Sequence, residues 1–96
     1  MIKSFRNKDT EKIFYRQFVK AFPHNLQRVA LRKLRMINRA VTVQDLRVPP
    51  GNRLEMLRGD RQGQYSIRIN DQWRICFTWK ESNAHNVEIV DYRRGK

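Results

Sequence analysis

Three arginines occupy positions that could do chemistry: Arg61 in Gly59-Asp60-Arg61-Gln62-Gly63, Arg68 in Ser66-Ile67-Arg68-Ile69, and Arg74 in Trp73-Arg74-Ile75-Cys76-Phe77. An arginine held between apolar strand residues faces either solvent or an anion. Arg68 and Arg74 flank Asn70-Asp71, so pairing of the two runs as a hairpin brings them close together. Neighbouring guanidiniums repel unless an anion lies between them, and phosphate is a bidentate match for the group. The competing partners are the chain's own carboxylates, Asp60, Asp71, Glu88 and Asp91. Tyr65, Trp73, Phe77 and Trp79 share this stretch and read first as a core-facing aromatic set.

The charge balance points the same way. The 96 residues carry 21 Lys+Arg against 9 Asp+Glu, a net charge of +12. Such a surface attracts polyanions by steering and counterion release. Charge alone does not separate RNA, DNA, an anionic membrane and an acidic protein, and a merely solubilising surface is the bland alternative. The apolar fraction of 40% suffices for one modest core, so residues 1–96 read as a single domain. No apolar run approaches the ~18 residues that span a bilayer, and no export segment follows Met1. The lone Cys76 forms no internal disulfide, which suits the cytoplasm, and reads as a small core residue. With one cysteine, His24 and His85 apart, and no clustered acids, neither a metal site nor a cofactor is expected.

The elements that must position these side chains follow from periodicity. Ile2 to Arg6 alternates as a short strand. A helix capped by Asp9 or Thr10 carries Ile13, Phe14, Phe18 and Ala21 or Phe22, and Pro23 ends it. A second helix, about 25–40, has Leu26, Val29, Ala30, Leu34 and Ile37 on one stripe and Arg28, Arg32, Arg35 and Arg39 on another side. Residues 42–52 connect, with Pro49-Pro50-Gly51-Asn52 as a turn. Strands are expected at 54–57, 64–70, 73–80 and 87–92, with 80–85 a polar loop and Arg93-Arg94-Gly95-Lys96 a basic tail. Ile67, Ile69, Ile75, Phe77, Val87, Ile89 and Val90 are the strand core candidates. The order β-α-α-β-β-β-β is an α+β domain, a helical hairpin packed on an antiparallel meander.

The chain resembles the HigB toxins of the RelE/ParE superfamily. The likeness runs from Met1-Ile2-Lys3-Ser4-Phe5 through residues 46–57 and 59–64, and is densest over residues 66–77 and 87–92. It implies a RelE-like fold and a ribosome-dependent mRNA endonuclease that cuts translated message in the A site. It implies metal-free attack by the 2′-hydroxyl, and a HigA-like antitoxin as partner alongside ribosome and mRNA. Operator DNA is then read by the antitoxin, since this chain shows no helix-turn-helix signature.

On that resemblance Arg61, Arg68 and Arg74 stabilise phosphate charge, Tyr92 stacks a base or orients the ribose, and Asp91 or Glu55 accepts a proton. Arg53, Arg58, Arg68 and Arg94 are the RNA- or phosphate-binding candidates. Many HigB chains end in Asp-Tyr-His with a catalytic role for the histidine; Arg93 stands there in this chain. Some carry a histidine where this chain has Glu55. Arg93 is therefore the terminal catalytic candidate, and weak activity is one expectation. A ribosome-binding toxin that does not cut, or a ParE-like gyrase inhibitor, is the alternative on the same fold.

Overall fold

The computed structural model describes residues 1–92; Arg93 and Arg94 lie outside the described residues. Two helices, α1 (Lys8–Phe14) and α2 (His24–Arg39), precede four strands, β1 (Glu55–Met56), β2 (Gln64–Arg68), β3 (Trp73–Lys80) and β4 (Asn83–Asp91). The strands form one antiparallel sheet in the order β1-β2-β3-β4. This is the expected α+β arrangement of helices and meander.

The N-terminal segment is less than a full strand. It runs parallel beside β4 through two isolated bridges, Ile2 to Ala84 and Phe5 to Val87. Four backbone hydrogen bonds hold it, among them Lys3 N–H to the Ala84 carbonyl at 2.8 Å.

Helix α1 is shorter than its periodicity suggests. Its cap is Asn7, whose side chain accepts from the Thr10 N–H at 2.9 Å, rather than Asp9 or Thr10. It stops at Phe14 because Arg16 turns left-handed at φ 65°. The Gln17 N–H then bonds the Lys12 carbonyl and the Arg16 N–H bonds that of Ile13, a Schellman closure. The amide of Gln27 on α2 stands in for the missing helical bonds. It accepts from the Val19 N–H and donates to the Val19 and Phe22 carbonyls, at 2.7–3.0 Å. Phe18, expected inside, is consequently 65% exposed.

Helix α2 behaves as its stripe dictates. Leu26, Ala30, Leu34 and Ile37 are buried, Val29 partly so, and Arg28, Arg32 and Arg39 are exposed. Lys33 is the exception, a buried charge on the apolar side. The helix residues pack on Ile67, Ile69, Ile75, Phe77, Val87 and Ile89, which form the inner face of the sheet. Trp73 and Trp79 border that core, and Trp73 meets Phe22 edge-on with ring centroids 5.4 Å apart.

The last hairpin begins earlier than expected. Glu81 and Ser82 both take positive φ, 53° and 64°, the geometry of a two-residue I′ turn, so β4 starts at Asn83 and not near residue 87. A register shift opposite Cys76 and Thr78, with Asn86 at φ 53°, then inserts one extra residue into β4. At the other hairpin, β2 ends at Arg68 and the Asn70 carboxamide oxygen accepts from the N–H groups of Gln72 and Trp73, both at 2.9 Å.

Candidate active site

Alternation along the strands sends every second side chain away from the helices. On this outer face lie Ser66 and Arg68 from β2, Arg74 and Cys76 from β3, and Glu88 and Val90 from β4, as the cross-strand partners require. Glu55 joins them because β1 pairs it with Ser66. Val90, expected in the core, instead helps line a cleft of about 530 Å³ with Arg6, Arg58, Arg61, Gln64 and Tyr92.

Arg74 is the most firmly placed of the arginines, with 8% of its surface exposed. Its Nε donates to the Ser66 hydroxyl at 2.8 Å, and its Nη2 donates to the Arg53 carbonyl at 2.7 Å. The Glu55 carboxylate stands 3.5 Å from the same Nη2. The guanidinium lies over the Tyr92 ring, 5.5 Å from its centroid. Tyr92 is itself anchored by its backbone N–H to the Gln72 carbonyl at 2.7 Å. A cation on a ring face is an attractive contact that fixes both groups.

Arg61 arrives from the 3₁₀ turn Gly59–Arg61, where Gly59 (φ 68°) and Gly63 (φ 90°) supply left-handed backbone. Its Nη1 donates to Glu88 at 2.8 Å and to the Gln64 side chain at 3.1 Å. The Glu88 bond, ahead of all other influences, raises the Arg61 pKa and holds the guanidinium charged. Arg6 approaches the same carboxylate at 3.8 Å. Beneath them burial pushes the Cys76 thiol up, so it sits as a neutral small side chain.

The structure thus gathers Arg61, Arg74, Tyr92 and Glu55 on one face, with Arg58 at the cleft and Arg53 contributing its carbonyl. It does not gather Asp91 with them. Asp91 pairs with Trp73, so alternation puts it on the other side of the strand, where it accepts from the Gln72 side chain at 3.0 Å. Arg68 and Arg74 are direct cross-strand partners, as the hairpin reading requires. They take separate anions, however: Arg68 pairs with Asp71 and Arg74 with Glu55. Ser66, Gln64, Glu88 and Arg6 were not singled out as site residues from sequence. Ser66 and Glu88 carried a usable signal, since both are polar residues alternating with buried isoleucines or valine. Among the described residues no three His, Cys, Asp or Glu side chains group to hold a metal ion. None of their helices is long and apolar enough to cross a membrane.

Helices on one face of an antiparallel sheet, with a basic cleft on the other, are the RelE-like fold. YafQ from Escherichia coli BL21(DE3) superposes with a TM-score of 0.59 at 10% identity, covering 98% of this chain and 97% of that one. YoeB in the YoeB–YefM complex from Staphylococcus aureus does so with a TM-score of 0.56 at 17% identity, covering 88% and 90%. At those identities the likeness speaks for the fold. The sequence is more specific: the family model of the HigB-like toxin, the RelE-like toxin of the type II toxin-antitoxin system HigB, matches residues 3–93. The chain belongs to that family. It is 38% identical over 71 residues to toxin HigB-1 of Vibrio cholerae, 74% of this chain and 75% of that protein. It is 32% identical over 97 residues to endoribonuclease HigB of Proteus vulgaris, covering 96% and 99%.

Proposed function

We propose that this chain, as a single toxin domain acting in the cytoplasm, cuts translated mRNA in the ribosomal A site. The observation that carries the reading is Tyr92, which lines the cleft with Arg61 while the Arg74 guanidinium lies over its ring on the same outer sheet face. In the reaction the 2′-oxygen bonds to phosphorus and the bond from phosphorus to the 5′-oxygen breaks. The products are a cyclic phosphate and a free 5′-hydroxyl. No metal ion enters the scheme. Charge on the phosphoryl oxygens is met by Arg74, whose internal bonds use Nε and Nη2, and by Arg61. Tyr92 stacks the nucleotide and holds it in line. Glu55, on the same face, takes the 2′ proton; the 5′-oxygen is protonated by Arg93 or water. Arg58, Arg53, Arg68 and Arg94 track the phosphate backbone. Asp91 acts at one remove, through Gln72 and the strand that carries Tyr92.

Ribosome docking uses α2. Its 16 residues contain no Asp or Glu, and Arg28, Arg32 and Arg39 are exposed along one side with Arg35 half-exposed. Such a row suits the phosphates of ribosomal RNA. The partner that silences the toxin is a HigA-like antitoxin, in keeping with the toxin-antitoxin family and with the fold's occurrence in a YoeB–YefM complex. An acidic, amphipathic antitoxin segment fits the shallow apolar groove between α1 and α2, where Phe18 and Leu31 lie beside Arg16 and Arg28.

Primer extension on a message translated in vitro, with a ribosome-free control, tests the reading. Discrete in-frame breaks confined to the translated sample are expected. Arrest with intact message would instead indicate a ribosome-binding toxin that does not cut. No effect on translation would turn attention to gyrase.

A further inference from the structure

We infer that Lys33 and Asn52, neither of which lines the cleft, are positioning residues for Arg74. The inference rests on the cleavage reading above. Lys33 is the one basic residue of α2 that turns inward, with 6% of its surface exposed. Burial, and then the nearby charges of Arg32 and Arg68, lower its pKa. Its ammonium donates to the Oδ1 of Asn52, which is fully buried. Asn52 Nδ2 in turn donates to the carbonyls of Leu46 at 3.2 Å and Val48 at 3.4 Å. One amide therefore ties helix α2 to the connection that leads into the site.

The next residue, Arg53, is left-handed at φ 46°. A non-glycine residue stays in that region when its surroundings hold it there. Here the Arg53 N–H bonds the Pro50 carbonyl at 3.0 Å and the Asn52 N–H that of Pro49 at 2.9 Å. The Arg53 carbonyl is thereby presented to Arg74 Nη2 at 2.7 Å. The chain of contact runs from the Lys33 ammonium through the Asn52 amide and the Arg53 carbonyl to the guanidinium. A buried lysine is costly where an apolar residue of similar volume would serve packing. Fixing the Asn52 amide, and with it the Arg53 carbonyl, is what the ammonium adds at this place.

Single-turnover cleavage on ribosomes carrying message tests the assignment. The proteins compared are the wild type, Lys33→Met, Asn52→Ala, Arg74→Ala and the Lys33→Met/Arg74→Ala double variant. Lys33→Met keeps the side-chain volume and removes the donor. The cleavage rate at saturating toxin should fall by about 10²-fold, the cost of roughly 1 Å of misplacement. The concentration for half-saturation should not move. Asn52→Ala should behave alike. The double variant should be no slower than Arg74→Ala alone, because Lys33 acts only through Arg74. Wild-type cutting by Lys33→Met beside an impaired Arg74→Ala overturns this assignment alone, as does a double variant that loses both factors. Wild-type cutting by Arg74→Ala overturns the site reading and this inference with it.

Discussion

The two faces of the sheet are built from alternate residues of the same strands, yet they are held by different physics. On the inner face Ile67, Ile75, Phe77 and Val87 are fully buried against α2 residues such as Ala30 and Leu34. That face is stabilised by area removed from water, which is non-directional. On the outer face Ser66, Arg74 and Glu88 are held by directional bonds: Arg74 to Ser66 and Arg53, Arg61 to Glu88. No buried side-chain nitrogen or oxygen is left without a partner among the described residues. A polar network satisfied to that degree keeps its cations in place before any ligand arrives, which is what electrostatic stabilisation of a reacting phosphate needs. On the proposed reading the fold can therefore be damaged from one face and the chemistry from the other.

The sharpest break is Phe77→Ala on the inner face. Removing a fully buried ring should cost about 3–5 kcal/mol of stability, read by denaturant unfolding, and any loss of toxicity should follow abundance. Trp73→Ala should cost less than that, because its ring is only partly buried against Phe22. On the outer face Tyr92→Ala should leave the unfolding midpoint nearly unchanged. It should weaken nucleotide holding by about 1–3 kcal/mol, the worth of one stacked base, seen as slower cleavage at equal protein level. Equal cleavage by this variant would show that the ring is only a neighbour of Arg74.

Glu88→Gln sharpens the comparison further. It leaves an acceptor for Arg61 but removes the charge; Arg61 is about a third exposed, so the expected loss is about 1 kcal/mol in cleavage and little in stability. Full activity would place Arg61 outside the phosphate site. The smallest effect belongs to neither face. The Asp45 carboxylate accepts from the Thr42 and Val41 N–H groups, which lower its pKa below the ordinary carboxylate value. Its contribution is therefore complete above the unfolded-state value and lost as pH falls through the lower folded-state value. Asp45→Asn should flatten the acid limb of a stability-against-pH curve slightly; an unchanged limb would contradict the capping role.

Much of this division was legible in the chain. Residues 64–79 alternate cleanly around Asn70-Asp71, so the hairpin, its inner isoleucines and the outward Arg68 and Arg74 could all be read from period and turn chemistry. The I′ turn at Glu81-Ser82 was hidden because neither residue is glycine or asparagine. The end of α1 was hidden because a side chain eight residues away, Gln27, satisfies the Val19 backbone. Arg61, Arg74, Tyr92 and Glu55, named on the family resemblance, lie on the one outer face. Asp91 parts from them through the one-residue alternation of β4. Ser66 and Glu88 showed in the alternation as polar residues between apolar ones, but which arginine each holds is a matter of distance.

The most direct measurement is primer extension on translated message with the wild type and Arg74→Ala at equal abundance, after thermal unfolding has shown both to be folded. The account expects in-frame breaks from the wild type and a loss of about 10²–10³-fold for Arg74→Ala, the cost of removing one well-placed donor to developing charge. Equal cutting by a folded Arg74→Ala would contradict it, and the outer face would then not be where the message is cut.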